Sequence, residues 1–265
     1  MPANFDVFQP VQPELKARVT SYVEFIPKKD METDVAVFYQ FRIDGVSGQV
    51  PVIPDGCLDL LFICDPEEPF AFIATSPEQR TPYVFQTNRT YFGIRLYPEQ
   101  RSLTLDCTVK DLIPFHQIPL IEVVPNIGSL IEEIANSQSF QDRMSVFTSY
   151  VIKNRKEKSN YCQNLINYCM NRIYAAHGLL SIKDLSVETG YSNRYIRKKF
   201  EEYVGFPPKK MSQIVRLHHC IGNMFNEKES MNKLLNYHGY YDIAHFYKEF
   251  KKYIVLTPKQ YKFIG

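Results

Sequence analysis

The strongest constraint on the fold is a phrase that occurs twice near the end of the chain. Residues 200–211 read FEEYVGFPPKKM and residues 250–261 read FKKYIVLTPKQY, with Phe, Tyr, an apolar residue, Pro and Lys at the same offsets. Each copy follows a Gly-Tyr pair by about ten residues, at positions 190–191 and 239–240. The repetition predicts two copies of one supersecondary unit.

The first copy has the pattern of a helix-turn-helix. Residues 161–176 carry apolar side chains at the i, i+3, i+4 spacing of an amphipathic helix. Ser181 and Ser192 are candidate N-caps, and Gly190 and Gly205 are candidate helix stops. A short helix, a tight turn and a second helix rich in Arg and Lys are typical of a DNA-reading motif.

The second copy repeats this layout after a longer helix. Residues 207–225 begin with prolines, which suit a first helical turn, and then continue as a predicted linking helix. SMNKLLNYHG at 230–239 matches SIKDLSVETG, and the following helix again ends at Phe. Two such units on one rigid helix can present two recognition helices to one side of a duplex, about 34 Å apart.

Charge divides the chain in the same way. Residues 160–265 hold 16 Lys and Arg against 8 Asp and Glu, while residues 1–159 hold 15 against 21. The polar run KNRKEKSN at 153–160 lies at the seam. We therefore predict two domains, 1–155 and 160–265, of which only the second meets a polyanion.

These C-terminal motifs resemble the DNA-binding domain of AraC/XylS-type bacterial transcription regulators. The motifs that carry the resemblance are Ile182-x-x-Leu185, Gly190-Tyr191-Ser192, Ile196, Phe200, Gly205-x-x-Pro208, Arg216-Leu217, Gly239-Tyr240-x-Asp242, Phe246, Phe250-Lys251-Lys252 and Thr257-Pro258-x-x-Tyr261. The chain departs from the family where Ser186 and Leu235 replace a small Ala and where Val255 replaces a Gly. A larger residue at 235 is expected to force repacking of the second unit.

The residues expected to contact DNA lie on the exposed faces of the two recognition helices. In the first unit they are Asn193, Arg194, Arg197 and Lys198; in the second they are Ile243, Ala244, Tyr247, Lys248, Lys251 and Lys252. The arginines match family positions that reach base edges, and an Arg can bind guanine bidentately. In the second unit Ile243 and Ala244 suit a thymine methyl, and the lysines suit phosphates.

The N-terminal part has the pattern of an antiparallel β-barrel. Short segments rich in Val, Ile, Phe and Tyr are separated by Pro, Gly or Asp, at 35–43, 48–53, 57–65, 70–75, 82–86 and 91–98. Helical patterns follow at 126–135 and 140–152. The fold class is thus α+β, a cupin-like or jelly-roll-like barrel with trailing helices plus an all-α domain. The layout resembles the cupin-like sensor domains of the same family.

Candidate ligand-binding residues are few and rest on charge within apolar strands. Arg42 and Arg95 interrupt such strands, so an inward-facing arginine needs an anionic partner from the protein or from a ligand. Tyr39 and Tyr91 are the accompanying aromatic candidates. Asp55 and Asp59 are paired carboxylates, although Pro-Asp-Gly at 54–56 favours a turn.

Enzymatic and metal-binding functions are disfavoured. Residues 1–115 contain no His, so a metal-dependent cupin site is not expected, and we predict no catalytic residue, no metal and no cofactor. No apolar run reaches the roughly 20 residues of a membrane span, and six cysteines without a CxxC pair suit a cytoplasmic protein with reduced thiols.

Two functions remain open. In the first, the barrel senses an effector and alters promoter binding; in the second, it serves only for dimerisation or protein docking. The expected partners are double-stranded DNA with two half-sites about one turn apart, a small-molecule effector, RNA polymerase and a second copy of the chain.

Overall fold

The computed structural model describes residues 8–28, 34–45, 47–154, 161–224 and 239–262. A short helix α1 (Pro13–Arg18) leads into two antiparallel sheets. The strands are β1 (Ser21–Phe25), β2 (Val35–Ile43), β3 (Gln49–Val52), β4 (Leu58–Ile63), β5 (Phe70–Thr75), β6 (Thr81–Val84), β7 (Arg89–Leu96) and β8 (Gln117–Pro119).

The six-stranded sheet has the order β1-β2-β7-β4-β5-β8, and β3 pairs with β6 in a second, smaller sheet. One face of the large sheet packs on the small sheet in a core that includes Tyr39, Phe41, Val50 and Tyr83. Alternation along each strand sends the intervening side chains to the opposite face. The sheets form an open sandwich.

The opposite face of the large sheet is covered by helices. The α-helices that follow β7 in the N-terminal part are α2 (Val109–Leu112), α3 (Gly128–Asn136) and α4 (Phe140–Asn154). Phe38 and Phe92 of the sheet pack with Phe147 of α4 and Ile134 of α3 in one cluster of buried residues. Both faces of the sheet are therefore buried, which explains why β4 is buried at every position.

The C-terminal region is helical. Within the described residues its helices are α5 (Tyr161–Ala175), α6 (Ile182–Thr189), α7 (Asn193–Val204), α8 (Pro208–Met224), α9 (Ile243–Ile254) and α10 (Pro258–Lys262). Their apolar faces meet in one core that also takes in Phe8, Ile53 and Tyr97 from the N-terminal part. The two regions of the chain thus share a packed interface.

The fold class expected from the sequence is confirmed, with one difference. The six predicted strand segments and both trailing helices are present within a few residues of their expected ends. The predicted barrel is not closed, because β1 and β8 end the large sheet and do not pair with each other. No helix within the described ranges is long and apolar enough to cross a membrane.

Candidate functional site

The first helix-turn-helix unit is built from α6 and α7. The Ser181 side chain accepts a hydrogen bond from the Asp184 amide, and Gly190 ends α6 in the left-handed region at φ 72°. The Ser192 side chain then caps α7 by accepting from the Tyr195 amide. Both N-caps and the glycine stop are those expected from the sequence, so the turn between the helices is fixed by local chemistry.

One face of α7 is exposed to solvent. Ile196 and Phe200 are fully buried in the C-terminal core. The four residues predicted to bind DNA are all exposed, namely Asn193, Arg194, Arg197 and Lys198. Arg197 Nε donates to Glu201 Oε1 at 2.9 Å, and this hydrogen bond lowers the pKa of the Glu201 carboxyl. The Glu201 carboxylate, one turn further along α7, thus holds the Arg197 guanidinium on the exposed face of the helix.

The second recognition helix is α9. The Asp242 carboxylate accepts from the His245 amide at 2.7 Å and caps its N-terminus. The predicted contact residues of this unit are exposed, namely Ile243, Ala244, Tyr247, Lys248, Lys251 and Lys252. Lys252 Nζ lies 3.2 Å from Tyr253 Oη. The predicted first helix of this unit, including Leu235, lies outside the described residues.

The three departures from the family pattern have different outcomes. Ser186 is accommodated because its hydroxyl donates to the Tyr191 carbonyl at 2.5 Å and so supports the turn. Val255 ends α9 in the left-handed region at φ 67°, where a glycine would be unstrained. Leu235 lies outside the described residues.

A second polar cluster is buried inside the sandwich. Asp59 and Arg95 are directly opposite each other on β4 and β7, and Arg95 Nε donates to Asp59 Oδ1 at 3.0 Å. Tyr39 Oη donates to the same carboxylate oxygen at 2.7 Å, and Asp55 Oδ2 lies 3.5 Å from Arg95 Nε. Gly93 makes room for the Tyr39 ring, because a Cβ there would lie 2.3 Å from it. Two carboxylates therefore share one buried guanidinium.

An inward-facing arginine was expected to need an anionic partner from the protein or from a ligand, and for Arg95 the protein supplies it. Burial raises the pKa of the Asp59 carboxyl, and the nearby Asp55 charge adds to the effect. The Asp55 carboxylate also accepts from the Cys57 amide at 2.9 Å, so it closes the predicted turn and lines the cluster at once. Since Arg95 already has two carboxylate partners, it needs no anionic ligand.

The space beside this cluster is small. A cavity of about 20 Å³ lies between the two sheets, enough for roughly one water molecule. Tyr39 and Arg95 line it, while the buried Thr75 hydroxyl, also in its wall, has no hydrogen-bond partner. Arg42 instead pairs with Asp44 at the surface.

Tyr91, the fourth ligand candidate, is also away from the cavity. Its hydroxyl accepts a hydrogen bond from the Gln86 amide at 2.8 Å, so the side chain of this β7 residue supports the loop before β7. The sequence pattern had marked both arginines within strands. It could not distinguish the inward Arg95 from the outward Arg42, because that distinction needs the strand register.

The N-terminal region contacts the C-terminal helices at several places, two of which lie at α8 and at α7. Close to the polar cluster, His218 Nε2 of α8 lies 2.7 Å from the Pro54 carbonyl, and His218 Nδ1 accepts from the Val11 amide at 3.2 Å. Farther along, α2 packs on α7, and Lys110 Nζ donates to Glu201 Oε2 at 2.9 Å. The second contact adjoins the reading face of α7.

Within the described residues, no group of three or more His, Cys, Asp or Glu side chains is arranged to hold a metal ion.

Comparison with known proteins gives two family matches. A helix-turn-helix domain family matches residues 185–262, and a domain of unknown function matches residues 23–116. No curated protein sequence matches the chain.

Solved structures that resemble the chain include several of ToxT from Vibrio cholerae. An apo form of the protein from strain SCE256 has a TM-score of 0.44 and 14% identity, over 92% of this chain and 98% of that one. A second crystal form gives 0.43 and 11%, over 92% and 99%. The form bound to an unsaturated fatty acid gives 0.41 and 14%, over 92% and 96%.

The helix-turn-helix match covers both recognition helices and the Gly-Tyr turn that precedes each of them. The structure agrees with this match, because α7 and α9 lie at corresponding positions of the two units and each has a side-chain N-cap. Residues 185–262 of this chain thus belong to a helix-turn-helix domain family.

Proposed function

We propose that the chain reads a promoter with two recognition helices and that its N-terminal sandwich modulates this binding in response to an effector. In this proposal residues 1–155 form the modulating domain and residues 160–265 form the DNA-binding domain. The observation that carries the proposal is the pair of N-capped helices, α7 and α9, whose outward faces hold ten exposed candidate contact residues, eight of them at matched positions.

The two units contribute differently to recognition. Arg194 and Arg197 offer planar, bidentate donors for guanine, and each is expected to discriminate by about 1–3 kcal/mol. In α9, Ile243 and Ala244 offer apolar contacts, while Lys251 and Lys252 supply charge for phosphates. The half-site read by α7 should therefore dominate the consensus.

Alanine variants test this division of roles. Arg194→Ala and Arg197→Ala should each weaken the specific site by about 1–3 kcal/mol and relax the sequence preference there. Lys251→Ala and Lys252→Ala should weaken specific and random duplexes alike and lower the salt slope by about one. Fluorescence anisotropy over a salt series, together with sequence selection on the full chain, measures both effects. Equally sharp preferences in both half-sites would contradict the asymmetry.

Modulation is supported by the contact between α2 and α7. Arg194, Arg197 and Glu201 recur on one side of α7 at i, i+3 and i+7, and Lys110 of α2 binds the last of them. A duplex that approaches the C-terminal half of this face meets α2. A shift of the sandwich relative to α7 would thus change access to DNA.

Effector sensing is supported by the position of the buried polar cluster. Asp55 lines the cavity and directly follows Pro54, whose carbonyl contacts His218 of α8. A change in the cluster therefore reaches α8 directly. The cavity holds about one water, so a larger effector requires the sheets to separate. With one guanidinium and two carboxylates, the site suits a small polar ligand that is neutral or cationic.

Thermal unfolding of the full chain tests effector binding. A compound that binds the folded sandwich should raise the unfolding midpoint in proportion to the logarithm of its concentration. Ala74→Val, which fills the cavity from β5, should abolish that shift. Val84→Ala, at an exposed position of β6, is the control and should leave it unchanged. An equal shift in the Ala74→Val variant would place the ligand elsewhere.

Docking without a ligand is the second candidate. It is favoured by the same small cavity, because the space between the sheets is far below the several hundred cubic ångströms of a usual ligand pocket. RNA polymerase and a second copy of this chain are the proposed partners. Sedimentation of the full chain with and without promoter DNA tests for the second copy.

A further inference from the structure

The linking helix α8 holds α9 through a buried ion pair. Glu249 lies on the side of α9 that faces α8, and its side chain is 3% exposed. Arg216 of α8 is 13% exposed, and its Nη2 lies 2.6 Å from both Glu249 carboxylate oxygens. Arg216 Nε adds a third hydrogen bond at 3.2 Å.

Neighbouring side chains complete the network. Tyr240 Oη donates to Glu249 Oε1 at 2.9 Å, and Gln213 Nε2 donates to Glu249 Oε2 at 3.0 Å. Tyr253 Oη donates to Gln213 Oε1 at 2.8 Å, and Arg216 lies over the Tyr240 ring at 4.4 Å. Both oxygens of the buried carboxylate are therefore fully used.

Such a network contributes orientation more than stability. A buried ion pair gives little net stability over apolar side chains of the same size, because desolvation offsets the attraction. The planar guanidinium, however, accepts a carboxylate in few orientations. The Arg216–Glu249 pair thus fixes the rotation of α9 on α8.

The first unit has no equivalent pair at the matching position of α7. The residue of α7 that corresponds to Glu249 is Lys199, whose Nζ donates to Glu202 on the same helix at 2.7 Å. The buried residues of α7 that face the core are apolar, namely Ile196, Phe200 and Val204. The network is therefore a property of the second unit, which carries the weaker set of base-reading side chains.

We propose that Arg216 and Glu249 are positioning residues that fix the angle of α9 on α8 and so set the half-site spacing that the regulator accepts. This rests on the proposed function, in which α7 and α9 read two half-sites. One base pair of extra spacing rotates the second half-site by about 34° around the duplex. An α9 that is held rigidly by the ion pair cannot follow that rotation. A helix that packs on α8 through apolar side chains alone can.

The test compares the full chain with the variant Arg216→Met/Glu249→Leu. Binding is measured by fluorescence anisotropy on duplexes that carry both selected half-sites at the selected spacing, one base pair shorter and one base pair longer. The wild type should prefer the selected spacing by about tenfold, and the double variant by less than about threefold. Its unfolding midpoint should stay near the wild-type value, and its affinity for the α7 half-site alone should not change.

Matched controls separate positioning from a structural role. Arg172 and Glu188 form an exposed bidentate pair between α5 and α6 at 2.6 Å, so Arg172→Met/Glu188→Leu should keep the wild-type spacing preference. Tyr240→Phe removes one hydrogen bond to Glu249. This variant should prefer the selected spacing less strongly than the wild type and more strongly than the double variant. It decides the question if the double variant does not fold.

Two results overturn the inference. One is a double variant that keeps the wild-type spacing preference; the other is an affinity that falls equally at all spacings. An unchanged preference in Tyr240→Phe, where that variant decides, has the same meaning. Failure of the proposed function gives a different result, since the wild type would then select no second half-site.

Discussion

Val255 takes a backbone conformation that β-branched residues avoid. It ends α9 at φ 67°, while Gly205 ends α7 at φ 82° in the corresponding place. The left-handed region costs a residue with a Cβ about 1–2 kcal/mol, because the Cβ approaches the following carbonyl. The second unit therefore carries local strain that the first unit avoids.

Val255→Gly should raise stability by about 1 kcal/mol, since the substitution relieves this strain. The side chain is 46% exposed, so little apolar burial is lost with it. Gly205→Ala is the opposite test and should destabilise the chain, because its Cβ would also lie 3.0 Å from Ile113. Chemical denaturation at neutral pH measures both changes. A lower stability for Val255→Gly would show that α9 gains from the stiffness of valine.

Among the contacts between helices, the packing of α2 on α7 is the one that the proposed modulation of DNA binding depends on. Ile113, directly after α2, packs against the C-terminal core beside Gly205. This contact is apolar, and the exposed Lys110–Glu201 ion pair at its edge adds little energy. The apolar side chain is therefore the better target for loosening α2.

Ile113→Ser should raise the affinity for promoter DNA about fivefold, because α2 then gives way more easily when the duplex approaches α7. Lys110→Ala should change the affinity much less. Anisotropy with the selected site at fixed salt measures both variants. If Ile113→Ser bound DNA no better than wild type, α2 would not limit access to α7.

The elements themselves could be predicted from local sequence signals. Capping serines, helix-stopping glycines and apolar periodicity located α6 and α7 almost to the residue. The edge strands β1 and β8 were missed, because β1 is exposed at four of its five positions and has no alternating apolar pattern.

Contacts between distant elements could not be predicted in the same way. The Asp59–Arg95 pair depends on the register of β4 against β7, and the Arg216–Glu249 pair depends on how two helices pack. The sequence offered an arginine in a family motif at 216 but no signal for its partner. Such pairs are determined by how distant elements pack, and no local pattern of residues in the sequence predicts that packing.

At the scale of the whole molecule, the N-terminal segment joins the two parts of the chain. Phe8 stacks on Tyr174 of α5 with ring centroids 5.0 Å apart. Gln12 donates to the Ile53 carbonyl at 2.8 Å and to Asp55 at 2.9 Å. The sandwich, its leading segment and α8 thus meet around the same few residues, and a change at any of them reaches the others.

His218 is the titratable group of α8 at this junction. Its ring is buried, with Nε2 donating to the Pro54 carbonyl and Nδ1 accepting from the Val11 amide, so the neutral form is fully paired. Burial lowers the pKa of His218 below its usual 6.5, although the Asp55 charge acts in the opposite sense and Arg95 in the same sense. Protonation would place an extra donor against the Val11 amide and break that hydrogen bond.

Stability should therefore fall as the pH falls below about 6.5, because the unfolded chain binds a proton on this histidine before the folded chain does. The slope should approach 1.4 kcal/mol per pH unit for one proton. His218→Gln keeps a donor for Pro54 and removes the proton site, so it should flatten the profile between pH 7.5 and about 5.5. His245→Gln, at an exposed position of α9, is the control and should keep the wild-type slope. The raised pKa of Asp59 has the opposite effect on stability, because the folded chain then binds a proton before the unfolded chain does. A wild-type chain that became more stable on acidification would show that the buried carboxylate dominates the titration. That result would contradict the role given to His218.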